Sequence, residues 1–159
     1  MKYTGPKQRE KRLGYFCINN VPKGGLIKVE YLYTIDGDTA YFKVGEGGES
    51  VRFYLINTPE LYNNEPYALE AREYTEKILS SAKEIYIQSD VNNLLRDKTE
   101  SRRILAWVWV DKELLNYKLV REGYATVKYV YSEKSLYYKQ LMKAEALAKK
   151  EKLRIHEVV

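Results

Sequence analysis

Between Thr34 and Glu60, two short runs of strand-forming residues are separated by a glycine-rich turn and bracketed by oxygen-bearing side chains. The runs are Thr39–Val44 and Val51–Ile56. Tyr41, Phe42 and Val44 fill the first, Val51, Phe53 and Leu55 the second, and Gly45-Glu46-Gly47-Gly48-Glu49-Ser50 lies between them. β-Branched and aromatic residues suit a pleated, half-buried surface and clustered glycines permit a turn, so the stretch predicts a β-hairpin. A hairpin brings its open ends together. Asp38, ahead of the first strand, is therefore expected beside Asn57, Thr58 and Glu60, which follow the second. A carboxylate and neutral oxygens converging on one point suit a hard cation.

The same bracket suits phosphodiester chemistry. Asp38, Asn57 and Thr58 can offer oxygens to a Ca²⁺-like ion, and Glu60 can take a proton from water. Arg52 can present a two-pronged donor to a phosphate. Either half alone reads as a solvated turn; both halves in this order and spacing favour a site. The single cysteine, Cys17, excludes an internal disulfide and a Cys-rich zinc site, and the single histidine, His156, lies near the C-terminal end of the sequence. Carboxylates and arginines are left to do the chemistry.

Ile35-Asp36-Gly37-Asp38-Thr39 resembles the first signature of the staphylococcal nuclease (thermonuclease-like) family, and Arg52 through Glu60 resembles the second. A third signature resembles Asp97-Lys98-Thr99-Glu100-Ser101-Arg102-Arg103-Ile104-Leu105-Ala106-Trp107, and the match runs from about Leu26 to Ile155. The resemblance implies a mainly β fold with α-helices, a five-stranded OB-fold barrel with three helices. It also implies a Ca²⁺-dependent endonuclease acting on single-stranded or denatured DNA and RNA and leaving 3′-phosphate ends. Carried over by position, the catalytic residues are Arg52, Glu60 and an arginine two places before a leucine. That rule selects Arg103, ahead of Leu105, with Arg102 as runner-up. Asp38, Asn57 and the Thr58 carbonyl are the implied Ca²⁺ ligands, and Tyr129, Tyr131 and Lys98 the implied substrate contacts. Relatives often carry aspartate where Asn57 stands and tryptophan where His156 stands. Thr99-Glu100-Ser101-Arg102 replaces the family's Tyr-Gly pair in a longer loop.

The remaining sequence fits such a barrel. Leu26–Thr34 reads as a first strand whose imperfect alternation suits a bent barrel strand. A helix is expected from Pro66, with Ala71, Tyr74, Ile78 and Ala82 at helical spacing. Strands are expected over Glu84–Ser89 and Leu105–Val110, and a short helix over Glu113–Glu122 closed by Gly123. In a last helix, Ser132–Arg154, the stripe of Leu141, Ala144 and Ala148 should face the barrel, and that of Leu136, Gln140, Lys143 and Leu147 should not. Residues 25–157 are read as one domain and residues 1–24 as a basic, flexible extension. Lys and Arg number 27 against 22 acidic residues, a net +5 that favours a polyanionic partner. The 16 tyrosines would chiefly build strands and core, with a few free to stack on bases. No stretch is long enough to span a membrane, and Leu13–Ile18 is too short for a signal-peptide core. The resemblance favours a secreted or cell-surface protein, and a monomer is the simplest state. The alternative function is a catalytically weak or inactive OB-fold nucleic-acid-binding module. Retention of Asp38, Arg52, Glu60 and a second arginine argues for activity.

Overall fold

The computed structural model describes residues 20–130 and 132–157. In chain order the elements are β1 (Leu26–Asp36), β2 (Thr39–Val44), β3 (Gly47–Phe53), β4 (Ile56–Asn57), α1 (Ala68–Ser80), β5 (Ile85–Gln88), β6 (Leu95–Arg96), β7 (Ile104–Val110), β8 (Glu113–Leu114), α2 (Leu115–Arg121), β9 (Thr126–Val127) and α3 (Tyr138–Lys150). The neighbours β3-β2-β1-β5-β7 are antiparallel, and β3 returns to pair parallel with β7 through Val51↔Ile104, Arg52↔Leu105 and Phe53↔Ala106. Among the described residues the result is a closed five-strand mixed barrel with three α-helices. Two-residue β6 and β8 lean on β7, and β4 pairs with β9 in a separate ribbon.

Every residue of β7 is buried, including Trp107 and Trp109. A strand covered on both faces reads as a continuous apolar run. Both indoles need a hydrogen-bond acceptor there, which Asp90 Oδ1 supplies to Trp107 Nε1 at 3.0 Å and Gln88 Oε1 to Trp109 Nε1 at 2.7 Å. Asn116, fully buried on α2, donates from Nδ2 to the Tyr54 carbonyl at 3.0 Å and accepts from the Val108 amide at 2.9 Å. That side chain pins the corner after β3 to the barrel. On α3 the buried residues include Leu141, Ala144 and Ala148, while Leu147 on the other stripe is exposed, as the helical spacing predicts.

The boundaries differ from the sequence expectation where main-chain turns and left-handed residues interrupt the expected elements. Helix α3 begins at Tyr138 rather than Ser132, because successive turns bond Ser135 N to Ser132 O and Tyr138 N to Ser135 O. It ends at Lys150 because Lys152 adopts φ 54, with Lys152 N bonded to Lys149 O and Leu153 N to Ala148 O, a Schellman closure without glycine. The same motif ends α2, with Gly123 at φ 79 and a would-be Cβ only 2.5 Å from the Leu153 carbonyl oxygen. Residues 113 and 114, expected in that helix, form β8 across an Asp111-Lys112 turn in which both φ are positive. Helix α1 starts at Ala68, after the left-handed Tyr67.

Two departures bear on function. The second strand of the hairpin stops at Phe53 instead of Ile56: Leu55 takes φ 63 and the chain corners into β4. β1 runs on to Asp36 and carries two bulges, its register slipping between Tyr31 and Tyr33 and again between Thr34 and Asp36. The inserted residues, Leu32 and Ile35, are exposed. These bulges are the physical origin of the broken alternation in that strand.

Candidate active site

Asp38 closes the tight two-residue turn between β1 and β2, and Thr58 follows β4, twenty residues on. The fold joins them: the Thr58 amide donates to Asp38 Oδ2 at 2.9 Å, and Phe53 N donates to the Asp38 carbonyl at 2.8 Å. Thr39 Oγ1 donates to Asp38 Oδ1 at 3.1 Å. Arg52 leaves β3 toward the same carboxylate, with Nη2 3.1 Å from Asp38 Oδ2 and both side chains nearly buried at 11% and 6% exposure. Nη1 donates to the carbonyls of Phe53 at 2.9 Å and Ile56 at 2.8 Å, and Nη2 to Asn57 Oδ1 at 3.3 Å. The corner at Leu55 thus exists around the guanidinium, which gathers the two carbonyls flanking it. Arg52 is rigid before any ligand arrives.

Beside this pair lies a cleft of about 270 Å³ whose lining includes Asp36, Asp38, Arg52 and Asn57. Glu60, Asp97, Arg103 and Tyr129 line it too. Arg103 is aimed by Asp97: its Nε lies 2.6 Å from Asp97 Oδ2, and its amide donates to Asp97 Oδ1 at 3.0 Å. Burial works to raise the Asp97 carboxyl, but hydrogen bonds from Thr99 and Arg103 and the Arg103 charge outweigh it and hold the group below the usual carboxylate range. Among the described residues the terminal nitrogens of Arg103 make no hydrogen bond, so the outward end of the fork is open. The Tyr129 ring sits over the other arginine, its centroid 5.8 Å from Arg52 Cζ and 5.3 Å from Lys128 Nζ. Its backbone is left-handed, with φ 60.

The expected site residues are therefore distributed unevenly. Asp38, Arg52, Asn57, Glu60, Arg103 and Tyr129 share the cleft. Thr58 is buried behind it, with its Oγ1 unpartnered among the described residues. Of the adjacent arginines, Arg103 lines the cleft, whereas Arg102 is exposed and lends its carbonyl to Arg96 Nη1 at 3.0 Å. Lys98 is exposed and is not among the lining residues, and Tyr131 lies outside the described residues. His156 packs at the end of the chain, where burial and then Lys149 push its imidazole below the ordinary value.

Sequence reading missed Asp36 and Asp97. Asp36 stands inside the first signature, but the sequence reading gives it no role of its own. In the structure its Oδ1 accepts from the Asp38 amide at 3.3 Å, and the second bulge of β1 turns it to the face that bears Thr39 and Arg52. Burial first, then the neighbouring Asp38, pushes its carboxyl up from 3.8 to about 7. The sign of the linkage follows. Between pH 4 and 7 the folded protein holds a proton that the unfolded chain releases, so this group lowers stability as pH rises and its full penalty stands above pH 7. Asp36→Asn should therefore raise the Tm of metal-free protein at pH 8 and leave it nearly unchanged at pH 4. A Tm gain independent of pH would show that the Asp36 carboxyl is not raised as described.

Carboxylates and two oriented arginines on a small closed barrel face one cleft, an arrangement suited to a phosphate-bearing ligand. The chain belongs to the staphylococcal nuclease homologue family, whose model matches residues 50–157. It is 34% identical over 134 residues to the SPbeta prophage-derived endonuclease YokF of Bacillus subtilis (strain 168), covering 82% of this chain and 44% of that protein. Endonuclease YncB of the same organism is 32% identical over 152 residues, 93% of this chain and 69% of the relative. Thermonuclease of Staphylococcus hyicus is 31% identical over 125 residues, 76% and 70% of the two chains. The chain thus spans less than half the length of YokF.

Proposed function

We propose that this chain is a Ca²⁺-dependent endonuclease that hydrolyses phosphodiester bonds of single-stranded or denatured DNA and RNA and leaves 3′-phosphate ends. The observation that carries the reading is the convergence of Arg52, Arg103, Asp38 and Glu60 on one cleft. The endonuclease and thermonuclease names of the relatives support it.

The donor set fits a hard cation. Burial, and after it the neighbouring Asp38, raises the Asp36 carboxyl, so a cation bound beside the two would relieve both effects. Among the described residues no three acidic, His or Cys side chains are grouped closely enough to hold a metal ion by themselves, so neutral oxygens would have to complete the shell, which Ca²⁺ accepts. Asp38, Asn57 and the Thr58 carbonyl would hold the ion, with Asp36 behind them. Bound there, Ca²⁺ supplies positive charge that offsets a phosphate oxygen.

The chain's own residues do the rest. Glu60, exposed on the loop after β4, accepts the proton of the attacking water. Its loop is held by Glu60 N donating to Glu65 Oε1 at 2.6 Å and Glu65 N to Glu60 O at 3.1 Å. Arg52 and Arg103 hold equatorial phosphate oxygens as charge grows in the five-coordinate transition state, and their prior anchoring means little reorganisation at that moment. The P–O5′ bond then breaks, and the departing 5′ oxygen takes a proton from solvent to leave as the 5′ hydroxyl. Tyr129, already over Arg52, offers a flat face to the nucleotide. Hydrolysis of denatured DNA at mildly alkaline pH, with Ca²⁺ and then with EGTA, tests the reading. Cleavage that survives EGTA or leaves 5′-phosphates would contradict it, and binding without cleavage would favour the inactive-module alternative.

Asn57 gives a second test. Its Oδ1 accepts from Arg52 Nη2, and as a neutral amide it adds no charge to the ion's shell. Asn57→Asp supplies that charge without lengthening the side chain and should tighten Ca²⁺ binding several-fold by calorimetry. Unchanged or weaker affinity would remove Asn57 from the ligand set.

A further inference from the structure

An aromatic pair on the outer face of the barrel takes no part in the mechanism above. Tyr33 on β1 and Tyr41 on β2 are register partners, their rings stacked with centroids 5.1 Å apart and planes within 6°. Simple alternation would send Tyr33 to the side of Tyr31, whose ring meets core Phe42 edge-on at 6.4 Å. The bulge at Leu32 reverses it, and the bulge at Ile35 does the same for Asp36. Register then places Tyr33, Tyr41, Asp36, Thr39 and Arg52 on one face, through Tyr33↔Tyr41, Asp36↔Thr39 and Thr39↔Arg52. Re-aiming side chains beside active sites is a recurrent use of bulges.

Space has been made for the stack. Tyr41 lies flat across Gly48, where any Cβ would collide with its Cε2 and hydroxyl. Tyr33 nonetheless stays 53% exposed, a flat ring presented to water. Cross-strand aromatic pairs stabilise hairpins by themselves, so location must decide the issue. Tyr41 faces Ser50, which makes Arg52 its diagonal neighbour at about 7–8 Å. Gly48 is four residues from Arg52 along β3, roughly 13 Å at the strand rise. OB barrels take oligonucleotides on this face, with site sizes of about 4–16 nucleotides. The charged neighbours Lys43 and Glu30, 4.0 Å apart and both exposed, offset one another, so the surface offers stacking rather than a phosphate clamp.

We propose that Tyr33 and Tyr41 form a base-stacking subsite that holds a nucleotide of the same single strand whose phosphodiester lies in the Arg52–Arg103 cleft. The inference rests on the nuclease reading of that cleft. Tyr33 is the outer ring and takes the base; Tyr41, backed by Gly48, keeps it flat.

The test uses the full chain carrying Glu60→Gln, with Ca²⁺, so that the strand stays intact. Single-stranded octanucleotides carrying 2-aminopurine at successive positions are titrated against it, and fluorescence and affinity are read together. Quenching should appear at one position. Tyr33→Leu, which keeps apolar bulk but not the flat face, should abolish that quenching and weaken binding about tenfold. The slope of log K against log salt should not change, because no phosphate contact is lost. Tyr33→Trp should restore both signals. Quenching indifferent to Tyr33→Leu, an unchanged affinity, an altered salt slope, or failure of Tyr33→Trp to rescue would each overturn the proposal. Cleavage by the parent chain is read separately: position-specific quenching without any cleavage would sink the nuclease reading and leave the stacking subsite standing.

Discussion

Arg52→Met is expected to cost the protein stability and activity together. The guanidinium pairs with Asp38 while also bonding the carbonyls of Phe53 and Ile56. Removing it leaves a carboxylate of 6% side-chain exposure without its partner, and breaking a buried pair from one side typically costs about 3–5 kcal/mol. The two carbonyls lose a donor at the corner that places Asn57 and Thr58, so the damage spreads to the proposed ion site. Activity should fall at least ~10²–10³-fold, the usual loss for one preorganised donor to a developing oxyanion. Adding Asp38→Asn to Arg52→Met removes the stranded charge. It should recover much of the stability measured by urea unfolding and none of the hydrolysis. If Arg52→Met unfolds at the urea concentration of the parent chain, the buried pair is not holding the corner and the account of its geometry is wrong.

The hairpin was legible because it is written in local terms: strand formers, a glycine cluster, and polar ends that a turn must bring together. The inward stripe of α3 was legible for the same reason, since helical spacing sorts Leu141 from Leu147 without reference to anything else. What escaped depends on partners distant in sequence. Phe53 ends β3 because a guanidinium gathers the carbonyls beyond it, and nothing in Phe53-Tyr54-Leu55-Ile56 signals a corner. Lys152 closes α3 in a left-handed conformation usually given to glycine, so the helix was read too long. The broken alternation of β1 was visible, but not that two bulges caused it, nor that they turn Tyr33 and Asp36 outward. Asp97 gave no sign of orienting Arg103, because five residues of loop separate a pair that only the fold joins.

Glu60→Gln is the complementary experiment to Arg52→Met, because the two residues differ in how the fold uses them. Glu60 is exposed, and among the described residues its carboxylate makes no hydrogen bond or ion pair; only its backbone is tied, to Glu65. The amide keeps size and shape but cannot accept a proton from water, so the loss should be purely chemical. Positioned general bases contribute about 10²–10⁴-fold, and hydrolysis should fall by that order while Tm and affinity for single-stranded DNA stay at parent values. Turnover that survives would move the base elsewhere in the cleft, with Asp36 the next candidate because a carboxyl pushed up to about 7 is well poised for proton transfer. Asp36→Asn in the same assay separates the two. If Glu60 is the base, that variant keeps a working proton acceptor and loses at most some hold on Ca²⁺, so raising the Ca²⁺ concentration should restore its rate. A deficit that no Ca²⁺ concentration repairs would assign the proton to Asp36.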